Sequence, residues 1–108
     1  MKEVKALRGA IRLDKDTREE IVARVTQLMM RLTADNSLQE KKIISIQFTQ
    51  TSDLTSANPA TALRTMTGYG KTPLFCAQEP SYGGSMERVI RILDRKSTRL
   101  NSSHIPLS

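Results

Sequence analysis

Hydrophobic residues recur along this chain with two periods, and the switches between them mark its elements. Ile21, Val22, Val25, Leu28, Met29 and Leu32 fall three and four residues apart, the spacing of one helix face. Ahead of them Thr17 and Glu20 form a capping box: the Thr17 hydroxyl can accept from the Glu20 amide while the Glu20 carboxylate reaches back. The pattern predicts a helix that starts after Thr17 and stops near Asp35-Asn36. Ile44, Ile46 and Phe48 instead alternate with Ser45, Gln47 and Thr49, which predicts a half-buried strand over 43–50. Val4 to Ile11, Leu74 to Ala77 closing on Gln78-Glu79, and Val89 to Leu93 read as three more strands. Asn58-Pro59-Ala60 opens a second helix, with an amide at the cap and a proline where a missing N–H costs nothing. That helix runs to about Thr67 and ends at Gly68 and Gly70. Pro80 to Ser85, with Gly83 and Gly84, is loop.

The order strand, helix, strand, helix, strand, strand implies an α+β (α/β-like) fold, a single mixed sheet packed with two helices. On the last strand Arg91 points away from Ile90 and Ile92, and a charge buried there would be costly unless paired. After Leu93 the periodicity stops. Asp94 to His104 shows no apolar face, so residues 1–93 are expected to be the domain and 94–108 a solvated tail. The tail also looks like translated adapter or vector sequence, and is expected to be foreign to the natural protein.

At 108 residues one domain with a modest core is all the chain can build, so a deep pocket is expected to need a partner subunit. The formal net charge is +6, of which residues 94–108 carry +2, and the body has no run of five like charges. With two Tyr, two Phe and no Trp, a base-stacking surface for nucleic acid is not expected; a short-range anion site fits better. Cys76 and His104 are the only residues of their kinds, too few for a disulfide framework or a zinc cluster, and a reducing cytoplasm is the expected setting. No apolar run exceeds the four residues Leu74 to Ala77, so neither a membrane span nor a secretion signal is expected.

Four fragments in order carry a resemblance: Leu7-Arg8-Gly9-Ala10; Asp53-Leu54; Pro59-Ala60-Thr61-Ala62-Leu63-Arg64; and Cys76-Ala77-Gln78-Glu79, followed twelve residues later by Arg91. Together they resemble the monofunctional, bacterial-type chorismate mutases, whose fold is a trimeric pseudo-α/β barrel. The resemblance implies an isomerase that turns chorismate into prephenate, with no cofactor, no metal, no nucleic acid and no membrane partner. It implies a homotrimer with active sites at subunit interfaces. Arg91 would be the catalytic cation at the ether oxygen and Glu79 would bind the substrate hydroxyl. Arg8 would clamp a carboxylate, and Cys76 would line the pocket beside Leu74 and Phe75, whose backbone closes it. Arg64 would come from the neighbouring subunit, with Asn58, Ala60 and Thr61 on the same segment. Two positions depart from the family: Asn58 stands where a bulky aromatic is common, and Thr61 where a lysine is frequent. The tyrosine and arginine that the family carries beyond its last strand have no counterpart in residues 94–108. A truncated, impaired homologue or a small basic anion-binding module is therefore the alternative expectation.

Overall fold

The computed structural model describes residues 3–66 and 69–98. Strand β1 (Val4–Arg12) leads to helix α1 (Arg18–Asn36), then strand β2 (Ile43–Gln50), helix α2 (Pro59–Arg64), strand β3 (Leu74–Gln78) and strand β4 (Val89–Ser97). The sheet order is β1-β4-β2-β3: β4 lies between β1 and β2 and runs antiparallel to both, while β3 runs parallel to β2 across the α2 crossover. The expected single mixed sheet with two helices is what the chain forms.

Local chemistry explains the element ends. The Thr17 hydroxyl caps α1 by accepting from the Glu20 amide at 3.1 Å. The second half of the predicted box is different: Glu20 Oε2 accepts from the Asp14 amide at 3.2 Å and from Arg24 Nε at 3.1 Å, tying the preceding loop to the helix. Those bonds, the Asp14 amide foremost, hold the Glu20 carboxyl below its ordinary range. Ser37 ends the helix in the left-handed region at φ 50°. Asn58 Oδ1 accepts from the amides of Ala60 at 2.8 Å and Thr61 at 3.4 Å, capping α2. That helix stops at Arg64, short of the predicted Thr67; Thr67 and Gly68 lie outside the described residues, as does His104.

Two strand predictions need correction. Ile44 is not on the buried face: a register irregularity between Ile43 and Ser45 turns Ile43 inward and leaves Ile44 exposed. The last strand does not stop at Leu93, because Asp94 to Lys96 find ladder partners on both sides, from Leu7 to Lys5 on β1 and from Ile46 to Ile43 on β2, and Ser97 pairs with Val4 on β1. The boundary expected at 93 therefore falls inside β4. Hydrogen bonding from two neighbours extends a strand whose sequence no longer alternates.

Both helices pack on one face of the sheet. Three cross-strand rows form that face: Leu7-Asp94-Ile46-Leu74, Gly9-Ile92-Phe48-Cys76 and Ile11-Ile90-Gln50-Gln78. Ile21, Val25, Leu28, Met29 and Leu32 of α1 close over them. At Gly9 a side chain would be tight: a Cβ there would lie 3.1 Å from Leu28 Cδ1 and 3.4 Å from Ile92 Cγ2, so Leu28 would have to give way. Among the described residues no helix is long and apolar enough to cross a membrane.

Candidate active site

With the helices on one side, alternation sends every second residue of each strand to the other face. The register stacks these residues into two rows, Ala10-Arg91-Thr49-Ala77 and Arg8-Leu93-Gln47-Phe75. All eight line a concavity of about 660 Å³, within the usual range for small-molecule sites. Its floor combines apolar ground (Ala10, Leu93, Phe75, Ala77) with two guanidinium groups, Arg8 and Arg91, diagonal neighbours on adjacent strands and thus about 7–8 Å apart at Cα.

Glu79 extends the line of Phe75 and Ala77 one step past β3, its amide donating to the Gln50 carbonyl at 2.8 Å. Its carboxylate is largely buried, and Oε2 accepts from Arg91 Nε at 3.0 Å and from the Thr49 hydroxyl at 2.6 Å. Arg91 itself is about half exposed (51%), so the cost of burying it does not apply; it faces the open side and engages its carboxylate through Nε. Neither of its Nη groups has a partner among the described residues, and Arg91 is part of the cavity lining.

The strand that presents Arg91 is anchored just upstream. Arg88 has φ 52°, a left-handed conformation uncommon for a side-chain-bearing residue. Its amide donates to both Asp53 carboxylate oxygens at 3.1 and 3.2 Å, and its Nε donates to the Leu13 carbonyl at 3.0 Å. Leu13 returns a bond from its amide to the Arg88 carbonyl at 2.7 Å. Asp53 thus fixes where β4 begins, and through it the row position of Arg91. A second hollow, of about 460 Å³, opens on the loop side of the Glu79–Arg91 pair, among Thr51, Ser52, Ser81, Tyr82 and Ser85. Arg91 lines both hollows, and Glu79 lines the second.

The structure gathers Arg8, Phe75, Glu79 and Arg91, and it does not bring the remaining expected residues to them within one chain. Leu74 and Cys76 alternate to the helix side and pack against the core, where burial pushes the Cys76 thiol up. Asn58, Ala60, Thr61 and Arg64 sit on or at the cap of α2, on that same side. One nitrogen of Arg64, Nη1, donates to the carbonyls of Tyr69, Gly70 and Thr72 at 2.9 to 3.0 Å, strapping the segment that leads into β3. Thr49, Gln47, Ala10 and Leu93 line the site and were not singled out from the sequence; only the register of the sheet identifies them.

Among the described residues no group of His, Cys, Asp and Glu has the arrangement of a metal site. The site is a cationic cleft with one carboxylate, suited to hold a small dianion and a hydroxyl by charge-assisted hydrogen bonds.

Comparison with known proteins bears on this chemistry. The sequence model of the family described as chorismate mutase type I matches residues 4–106. Chorismate mutase AroH of Thermus thermophilus is 40% identical over 91 residues, which are 83% of this chain and 74% of that protein. Its namesake in Bacillus subtilis (strain 168) is 29% identical over 90 residues, 83% of this chain and 71% of the other. Among solved structures, a chorismate mutase from Clostridium thermocellum superposes with a TM-score of 0.79 at 39% identity, covering 92% of this chain and 84% of the other.

Proposed function

The chain belongs to the chorismate mutase type I family and is an enzyme of that activity in aromatic amino-acid biosynthesis, and from that premise we propose how its own residues carry the reaction. Rearrangement of chorismate to prephenate is an isomerisation: one carbon–oxygen bond breaks and one carbon–carbon bond forms within the substrate. Atoms and electrons balance without a co-reactant. What the protein contributes is a bent substrate conformer and positive charge where the ether oxygen becomes electron-rich.

Arg91 lends that charge through its two unpartnered Nη groups. Arg8, diagonal to it on β1, clamps a substrate carboxylate, and Glu79 accepts from the ring hydroxyl. Phe75, Ala77, Ala10 and Leu93 supply the apolar bed under the ring. The observation that carries this reading is the Glu79–Arg91 pair at 3.0 Å, held on the same open sheet face as Arg8 over a cavity of suitable size. An ion pair alone is also an ordinary structural device; here it lies at a cavity wall and leaves the cation's outer nitrogens free.

The residues that do not reach this cavity fit the same reading when the site is shared. In a homotrimer the α2 segment (Asn58, Ala60, Thr61, Arg64) would serve the cleft of a neighbouring copy, while Leu74 and Cys76, whose side chains pack on the core, would border their own cleft only through the β3 backbone that carries Phe75. With Asn58 and Thr61 in place of an aromatic and a lysine, that contribution is polar and uncharged apart from Arg64. A cytoplasmic setting agrees with a free thiol at Cys76. The impaired-homologue and anion-module alternative is not favoured by the match to chorismate mutases along nearly the whole chain.

The test is direct. Loss of chorismate absorbance is followed with the purified chain and with Arg91→Ala. The chain is expected to accelerate the rearrangement over buffer, and the variant to lose about a hundredfold to a thousandfold in kcat/KM, the scale for removing a preorganised donor from a developing oxyanion. A variant as active as the wild type would remove Arg91 from the reaction.

A further inference from the structure

We propose that Thr49 is a positioning residue for this reaction, its hydroxyl holding the Glu79 carboxylate so that one oxygen faces the substrate and Arg91 keeps its outer nitrogens for the ether oxygen. The inference rests on the roles given above to Glu79 and Arg91. Thr49 sits in the register position between Arg91 and Ala77. From there its hydroxyl donates to Glu79 Oε2 at 2.6 Å, the short distance of a charge-assisted bond. Oε2 also takes the Arg91 Nε bond at 3.0 Å, so both anchors act on one oxygen. Oε1 has no partner among the described residues and is the oxygen available to a substrate hydroxyl.

The backbone at Glu79 is fixed by its bond to the Gln50 carbonyl, so side-chain torsions are the freedom that remains. A threonine suits this post, because a β-branched residue on a strand has few χ1 choices and its hydroxyl direction is set by the backbone. Without the hydroxyl, the carboxylate is held by Arg91 alone. Arginine and carboxylate then tend toward the two-point, fork-on-fork arrangement, which would draw an Nη group of Arg91 away from the substrate. Thr49 keeps the pair single-pronged.

The experiment compares Thr49→Val, which keeps the shape and removes the hydroxyl, with Thr49→Ser, which restores it, each alone and in a Glu79→Ala background. Thr49→Val is expected to lower kcat/KM by about tenfold, the scale of a modest misplacement of a catalytic group. Thr49→Ser should return to within about twofold of the wild type, although serine is the weaker strand former. In the Glu79→Ala background, Thr49→Val should cost less than about twofold, because the group it orients is gone. A purely structural role would be met by valine at least as well as by serine and would add to the Glu79→Ala loss. A fully active Thr49→Val, a Thr49→Ser no better than it, or additive losses would each overturn the proposal. An active wild type with an equally active Glu79→Ala would overturn the Glu79 role and this proposal together, and a wild type without turnover would overturn the reading of the site itself.

Discussion

Asp94 stands in the core row between Leu7 and Ile46, fully buried, and neither carboxyl oxygen has a hydrogen-bond partner. Burial pushes its carboxyl up to about 7, against the pull of Lys96 two residues along the strand. The folded value lies above the ordinary 3.8, so between pH 4 and 7 the folded chain keeps a proton that the unfolded chain has released. Stability therefore falls as pH rises through that window and levels off above it, by about 4 kcal/mol in all at about 1.4 kcal/mol per pH unit. Asp94→Val should raise the urea midpoint at pH 8 by the equivalent of about 2–4 kcal/mol, and by much less at pH 4. Asp94→Asn should flatten the pH slope while keeping the cost of an unpaired polar group; a slope unchanged in that variant would refute the assignment. Sequence reading placed Asp94 in a solvated tail because an acidic residue beside Arg95 and Lys96 carries no sign of burial. Thr49 was missed for a related reason: a hydroxyl on an alternating strand has no signature until the register sets it opposite Arg91.

At the scale of elements, what could be read was what depends on near neighbours: the Thr17 and Asn58 caps, the apolar stripe of α1, and the opposite facing of Arg91 from Ile90 and Ile92. Misreadings fell where a distant strand decides. Ile43 displaces Ile44 from the core because β2 must keep register with β4, and β4 continues to Ser97 because β1 and β2 both offer it partners. Gly9 shows how such constraints enter a short motif. The glycine between Arg8 and Ala10 lets Leu28 of α1 approach the sheet, so the strand that presents Arg8 also sets the depth of the helix. Gly9→Val should push α1 outward and destabilise the fold by about 2 kcal/mol, as overpacking of a close contact does, seen as a lower urea midpoint with an unchanged m-value. A midpoint equal to that of the wild type would mean that the helix can shift without loss.

The whole molecule divides the expected site residues between its two sides: Arg8, Glu79 and Arg91 with Phe75 on the open sheet face, Arg64 and its neighbours on the helix side. No local pattern in the chain reports this, because it follows from β4 inserting between β1 and β2 and from α2 crossing to bring β3 alongside. A single copy does not place Arg64 over Arg91; in the proposed closed ring of three copies each cleft would take Arg91 from one subunit and Arg64 from the next. That arrangement makes a prediction that a self-contained site does not. Arg91→Ala and Arg64→Ala should each lose activity while sedimenting as the same oligomer as the wild type. Unfolded together in equal amounts and refolded, they should regain activity, since in randomly mixed trimers about a quarter of the clefts receive both native arginines. Each variant refolded alone should stay inactive. If the mixture is no more active than the mean of its parts, both arginines belong to one copy's cleft or Arg64 acts only as the strap on Tyr69, Gly70 and Thr72; the first case would require α2 to leave the helix layer.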